Sequence, residues 1–132
     1  MKCLKIQSMK FPEVVELPKN GLLNAIYSEI NCSTFECVYP WKDSVCLICD
    51  EEGKYKENQE FNRSLFDAND EFMDAIFGTF LIVGIAGEEF TDLTEQQIGK
   101  YSEMFHFPEL MMVVNDVFVI QYLSGRKTLV LG

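Results

Sequence analysis

The sequence predicts an α+β fold in which a mostly antiparallel sheet carries two main helices. Short runs rich in β-branched and aromatic residues recur along the chain, and two segments repeat apolar residues at helical spacing. Turn residues separate neighbouring runs closely enough for antiparallel pairing. The 132 residues fit a single compact domain, 1–132, and a hydrophobic share of 48% supplies its core.

The first part of the chain predicts two strands and a helix. Residues 2–7 alternate weakly around Leu4 and Ile6. Residues 13–17 lie between two prolines, which favour an edge strand. Asn20 is the expected N-cap of the helix that follows. Apolar residues at positions i, i+3, i+4 and i+7 would form the buried face of this helix: Leu23, Ile26, Tyr27 and Ile30.

Two further strands are expected at residues 35–39 and 44–49, which are rich in β-branched and aromatic side chains. The Pro-Trp-Lys-Asp sequence at 40–43 would form the turn between them. Residues 50–54 predict a second tight turn, in which Gly53 supplies the positive φ.

The central segment gives a weaker pattern. Residues 55–69 are polar and irregular, and a short helix is expected at 71–76. Residues 80–83, Phe-Leu-Ile-Val, form an apolar run that is typical of a strand buried on both faces.

The last part predicts a second helix and a hairpin. Thr94 and Gln97 have the spacing of a capping box, and Pro108 ends the helix that they begin. One side of this helix would consist of Ile98, Tyr101, Met104 and Phe105. Strands are expected at 110–114 and 117–122, joined by the Asn-Asp pair at 115–116.

The acidic charge of the chain disfavours two kinds of anionic partner. The net charge is −10, with eleven basic and twenty-one acidic residues. Direct contact with nucleic-acid phosphates or with an anionic membrane surface is disfavoured, because both need a basic surface. Two interpretations of the acidity stay open: it keeps the protein soluble, or it imitates DNA and occupies a DNA-binding protein.

The sequence predicts a cytoplasmic protein. No apolar run approaches the roughly 18 residues that span a bilayer, and the N-terminus has no signal-peptide pattern. The chain has five cysteines, an odd number that cannot all pair in disulfides, so reduced, buried thiols are expected. Cys46 and Cys49 match C-x-x-C, but in a strand such residues point to opposite faces, which favours buried structural thiols over the alternatives of a zinc site or a redox pair.

Little in the sequence suggests catalysis. His106 is the one histidine, so mechanisms that pair a nucleophile with a histidine base have few candidates. The acidic pairs lie in turn-like segments, and no glycine-rich segment is followed by the Lys-Ser/Thr of a phosphate loop. We therefore expect a non-enzymatic binding protein with no catalytic residue, no cofactor and no metal.

One group of polar residues suggests a binding site. Lys54, Asn62 and Arg63 form a basic and amide island inside an acidic stretch. A guanidinium beside an amide can hold a phosphate, a carboxylate or a base edge. The structural alternative is that Arg63 pairs with Glu51 or Glu52 and fixes the loop.

These residues also belong to a pattern of four segments that resembles a known family. Residues 50–54 (Asp-Glu-Glu-Gly-Lys), the Asn-Arg pair 62–63, the buried segment 78–84 and the helix start at 91–97 together resemble an uncharacterised domain-of-unknown-function family. That family is found in bacteriophages, conjugative elements and gut Firmicutes. The resemblance covers roughly residues 1–125.

The resemblance implies a setting, the cytoplasm of a bacterial host cell, rather than an activity. Small proteins of phages and mobile elements often counter host defence, which favours sequestration of a small anionic, nucleotide-like defence signal. On this hypothesis Arg63 and Lys54 meet phosphate, and Asn62 reads a ribose or base edge. An aromatic residue stacks on the base, and the candidates are Tyr55, Phe61 and Trp41.

The alternative hypothesis is an acidic DNA mimic that inhibits a host nuclease, a CRISPR effector or a repressor. Its contact residues would include Glu88, Glu89 and Asp92, and its binding would be sensitive to salt. A homo-oligomer is a further expectation that the sequence leaves open, because strand 117–122 and the segment 126–131 could pair with a second copy.

Overall fold

The computed structural model describes residues 1–131. In that part of the chain the first half contains strands β1 (Lys2–Ile6), β2 (Glu13–Glu16), β3 (Phe35–Val38) and β4 (Val45–Asp50), with helix α1 (Leu22–Ile30) after β2. A short 3₁₀ turn at Gly53–Tyr55 follows. The second half contains β5 (Phe61–Phe66), β6 (Phe72–Phe77), β7 (Phe80–Ala86), β8 (Glu89–Thr91), α2 (Glu95–Met104), β9 (Glu109–Val114), β10 (Val117–Tyr122) and β11 (Leu129–Leu131).

The largest sheet has the order β2-β1-β7-β4-β3, and β8 pairs with the end of β7. All of these pairs are antiparallel. The two central strands, β4 and β7, are buried on both faces. This confirms the expectation for the apolar run at 80–83, and β2 lies at the edge, as its flanking prolines indicate.

The two helices cover opposite faces of this sheet. Ile26 and Ile30 of α1 pack on one face together with Cys46 and Ile48 of β4. Tyr101 of α2 packs on the other face, in a core that also contains Phe105, Phe80 and Leu47. Successive residues of β4 therefore alternate between two cores, as the period of a strand requires.

Helix α2 begins as the sequence predicts, whereas helix α1 begins at a different N-cap residue. The capping box of α2 is confirmed, because Gln97 N–H donates to Thr94 Oγ1 at 3.1 Å and Thr94 N–H donates to Gln97 Oε1 at 2.9 Å. For α1, Gly21 rather than Asn20 occupies the N-cap, in a left-handed conformation. Asn31 ends this helix, also at positive φ.

The central segment is where the sequence prediction is wrong. Residues 61–77 form an antiparallel hairpin of β5 and β6 instead of an irregular stretch followed by a helix. The Asp67 carboxylate holds its turn by accepting N–H bonds from Asn69 and Glu71. The pattern of β5 was irregular because polar residues of this strand are buried and because its pairing with β6 shifts register at two places.

The predicted fold class, α+β with two main helices, is also wrong. The described part of the chain is mostly β, with 43% of residues in strands and 17% in helices, and its strands form three sheets. Both α-helices occur near their expected positions, but they have only nine and ten residues. Gly53 likewise lacks the expected positive φ. A glycine is needed there because a Cβ would lie 2.8 Å from the Phe77 carbonyl oxygen.

The C-terminal sheet has the order β11-β10-β9. The predicted hairpin is confirmed: β9 and β10 pair around Asn115 and Asp116, which both have positive φ as a tight hairpin turn requires. Val119 and its neighbours in β10 pair with β11 on the other side. This sheet touches the body mainly where β9 approaches β5.

Candidate ligand-binding cleft

Asn62 lies in β5 and is fully buried. Its amide nitrogen donates to the carbonyl oxygens of Ile6, at 2.9 Å, and Gly78, at 2.8 Å. Its amide oxygen accepts from Arg63 Nη1 at 2.8 Å. The side chain therefore joins β5 to the end of β1 and to the turn before β7, and its hydrogen-bonding groups are directed at protein atoms.

Arg63 is also fully buried, which is unusual for a charged side chain. Nε and Nη2 donate to the Phe105 carbonyl oxygen at 3.2 and 3.1 Å, and Nη2 donates to the Lys10 carbonyl oxygen at 2.7 Å. Nη1 donates to Asn62 Oδ1 and to its carbonyl oxygen. The five N–H groups of the guanidinium are thus matched by five contacts to protein oxygens.

Burial lowers the pKa of Arg63 below its ordinary value, and the nearby Glu109 carboxylate opposes that shift. The expected pairing with Glu51 or Glu52 is absent from the described residues, since both lie exposed near the 3₁₀ turn. Arg63 instead ties the C-terminal end of α2 and the loop after β1 to β5. In this arrangement the guanidinium presents no surface to a ligand.

The other predicted site residues lie apart from this buried pair. Lys54 forms an ion pair with Asp74, and Tyr55 is 86% exposed. Phe61 packs edge-on against Phe77, with ring centroids 5.7 Å apart. The structure therefore does not assemble the six residues into one pocket. Of the six, Trp41 alone lines a cleft formed near the C-terminal end of α2.

This cleft has a volume of about 690 Å³ and is lined by β5, the C-terminal end of α2, and the residues at and beyond the ends of β9 and β10. Its aromatic lining consists of Trp41, Phe66, Phe105, Phe107 and Tyr122. Three cationic side chains also line it, all from exposed residues: Lys42, Lys100 and Arg126. Acidic side chains contribute as well, namely Asp67, Asp70, Glu103 and Glu109.

A polar cluster connects the two sheets that meet in the cleft. Glu109 Oε1 accepts from the Ser64 N–H at 2.8 Å, and the Ser64 and Tyr122 hydroxyl oxygens lie 2.8 Å apart. Burial raises the pKa of the Glu109 carboxyl, while Ser64, Arg63 and Arg126 oppose the rise. A half-buried carboxyl among aromatic rings can accept hydrogen bonds from a polar edge that enters the cleft.

The aromatic walls are held in place by contacts of their own. Trp41 Nε1 donates to the Phe66 carbonyl oxygen at 3.2 Å, and the indole packs on Tyr101 with ring centroids 4.8 Å apart. The Arg126 guanidinium lies 3.9 Å from the centroid of Phe66 and forms an ion pair with Asp70 at 2.8 Å. These contacts connect Trp41 to α2 and Phe66 to the segment after β10.

Sequence reasoning missed Ser64, Glu109, Tyr122 and Arg126. Glu109 follows a proline and begins a strand, and Arg126 lies in the loop between β10 and β11, so neither position suggests a site by itself. The signal available was the lone acidic residue of an otherwise apolar strand, because such a residue usually has a partner when it is buried.

The thiols and the histidine have structural surroundings. Cys46 and Cys49 pack in different cores on opposite faces of β4, as expected for a strand. Burial raises the pKa of Cys49 to about 12, so its thiol is protonated at neutral pH. His106 stacks on Phe11 with ring centroids 4.6 Å apart. Residues 1–131 contain no group of three metal-ligating side chains arranged around a common point.

A family model described as a domain of unknown function, DUF3846, matches residues 1–106. The chain belongs to the DUF3846 family. This confirms the resemblance to a domain-of-unknown-function family. No curated protein and no solved structure shows significant similarity to the chain. Within residues 1–131, neither helix is long and apolar enough to cross a membrane.

The DUF3846 match ends before β9. The cleft therefore combines family residues, such as Trp41 and Ser64, with residues beyond the match, such as Glu109, Tyr122 and Arg126.

Proposed function

We propose that this DUF3846 protein binds a small anionic, nucleotide-like molecule in the aromatic cleft and releases it unchanged. The observation that carries the proposal is the composition of the cleft. Flat aromatic faces suit a base, a half-buried carboxyl suits its amino edge, and cations suit its phosphates. The expected ligand class stays that of the sequence analysis, while the expected contact residues change.

In this proposal each group has a distinct part. Trp41 keeps the stacking role expected from the sequence, together with Phe66. Glu109 accepts hydrogen bonds from an amino or imino group of the base. Lys42 and Lys100 pair with phosphate in place of Lys54 and Arg63, because exposed ammonium groups can follow a flexible anion.

The proposal describes binding rather than catalysis. Ser64 is the hydroxyl nucleophile nearest to the buried carboxyl, but its oxygen is paired with Tyr122. His106 does not line the cleft and stacks on Phe11 instead. A serine hydroxyl is a weak nucleophile unless a base takes its proton, and the neighbouring Glu109 carboxylate accepts the Ser64 backbone N–H at 2.8 Å. Sequestration of a nucleotide-like defence signal by a phage or mobile-element protein is the biological form that the resemblance favours.

Calorimetry against a panel of linear and cyclic nucleotides tests the proposal. We expect binding to one class, and we expect Glu109→Gln to weaken it at least about tenfold, because an amide N–H would face the donors of the base. The matched control is Lys54→Ala, which removes a cation outside the cleft. Absence of heat with every nucleotide refutes the proposal. Chromatography of the recovered ligand tests the second half, since a cleaved product would make the protein an enzyme.

The DNA-mimic alternative is supported by a different surface. Glu88 and Glu89 are exposed at the turn between β7 and β8. Asp92 is engaged within the protein, because its carboxylate accepts the Lys2 N–H at 2.7 Å. If the alternative holds, charge reversal of Glu88 and Glu89 abolishes salt-sensitive binding to a basic protein, and Glu109→Gln has no effect on it.

A further inference from the structure

The C-terminal sheet differs from the rest of the molecule in charge. Residues 107–132 contain two acidic and two basic residues, so this segment has no net charge. The first 106 residues contain nineteen acidic and nine basic residues and carry the whole net charge of −10. The neutral segment also lies beyond the DUF3846 match.

One face of this sheet has no cover in the described residues. In β10, Ile120 and Tyr122 are buried towards the body. Val117, Val119 and Gln121 alternate with them and point the other way. The pairing places Val119 between Met112 and Val130, Val117 opposite Val114, and Gln121 opposite Leu110. The resulting outward face consists of six apolar residues and one amide: Leu110, Met112, Val114, Val117, Val119, Val130 and Gln121. It contains no charged side chain, and Val130 is 62% exposed.

We infer that this outward face is the docking surface for a second copy of the chain. The charge distribution favours that occupant. Two bodies that each carry −10 repel one another wherever acidic surfaces meet, and the neutral face allows the closest approach with the least repulsion. A basic partner would gain nothing at this face, because it offers no carboxylate.

The size of the face fits a modest symmetric interface. The exposed fractions of its side chains correspond to apolar surface on the order of 400 Å² per copy. About 65% of a homodimer interface is apolar, so two such faces correspond to roughly 1,200 Å² in total. That value lies at the lower limit for specific interfaces, and the dimer is therefore expected to depend on concentration.

This inference is independent of the proposed ligand. Sedimentation velocity over a wide range of protein concentration is the test, and the wild-type protein is expected to shift from monomer to dimer. Val114→Lys is expected to weaken the dimer at least about tenfold, because it buries an unpaired ammonium. The matched control is Val14→Lys on β2, since Val14 is 47% exposed and Val114 is 46% exposed.

Val130→Lys provides a second variant on the same face, and near-ultraviolet circular dichroism checks that each variant folds. Higher salt is expected to strengthen the dimer, because screening reduces repulsion between the acidic bodies. A wild-type protein that stays monomeric at all concentrations overturns the inference. So does an equal effect of Val14→Lys and Val114→Lys, or a dimer that salt dissociates.

Discussion

Replacing Arg63 with methionine distinguishes a structural guanidinium from one that contacts ligand. Methionine has a similar length and is apolar, so the substitution removes every donor without leaving a large cavity. The carbonyl oxygens of Phe105, Lys10 and Asn62 then lose their partners. The Asn62 amide oxygen loses the Nη1 donor as well.

The expected loss follows from these acceptors. A buried polar group without a partner costs about 1–3 kcal/mol, and the Lys10 carbonyl is near enough to the surface to regain water. Relief from burying the guanidinium offsets part of the loss. We therefore expect Arg63→Met to lower the free energy of unfolding by about 3–5 kcal/mol, a large share of the total for a domain of this size.

Urea denaturation followed by tryptophan fluorescence measures this loss, because Trp41 is the single tryptophan and packs on Tyr101. Arg63→Lys should fall between wild type and Arg63→Met, since an ammonium keeps the charge but has three donors. Arg126→Met is the control at an exposed arginine, and its effect on stability should be much smaller. An Arg63→Met protein of nearly wild-type stability that no longer binds nucleotide would refute the structural role.

Three further predictions concern stability. Gly84→Ala should lower the free energy of unfolding by about 1–3 kcal/mol, because the added Cβ would lie 2.5 Å from the Asp92 carbonyl oxygen. The control is Gly99→Ala in α2, whose Cβ meets no atom within 4 Å and which should stabilise the protein slightly. For the Asp50 carboxylate, burial alone would raise the pKa, but its bonds to Lys56 and other donors outweigh burial and lower the pKa. The contribution of this carboxylate to the free energy of unfolding is therefore fully present above its unfolded-state pKa and is lost as the pH falls through the lower folded-state pKa. Urea titrations at several pH values should show that Asp50→Asn removes this loss of stability in acid. The pKa of Glu109 shifts in the opposite direction, because burial raises it. The stability of the wild-type protein should therefore fall relative to that of Glu109→Gln as the pH rises from the ordinary carboxyl range through the raised pKa. A stability difference between the two proteins that stays constant with pH would contradict this.

Local elements were largely predictable from the sequence. The capping box at Thr94 and Gln97 and the hairpin around Asn115 and Asp116 both depend on residues close together in the chain. The run at 80–83 was recognisable because a strand buried on both faces needs an unbroken apolar sequence. In each case the signal lies within a few residues, where backbone conformation and side-chain period act directly.

The β5–β6 hairpin was not predictable in the same way. Its polar positions look solvated in sequence, although Asn62 and Arg63 are fully buried. Their partners lie far along the chain, with Lys10 and Phe105 53 and 42 positions from Arg63. A buried polar side chain is stable only when its hydrogen-bond partners are in place, so its burial cannot be predicted from the residues next to it in the chain.

By itself the sequence determined the net charge, the positions of the two helices, the edge and central strands, and membership of a domain-of-unknown-function family. Tertiary structure decided that Arg63 holds the fold together and that Trp41, Ser64 and Glu109 meet in one cleft. The physical reason is separation along the chain. Charge and periodicity belong to a segment, whereas a cleft exists only after distant strands have packed.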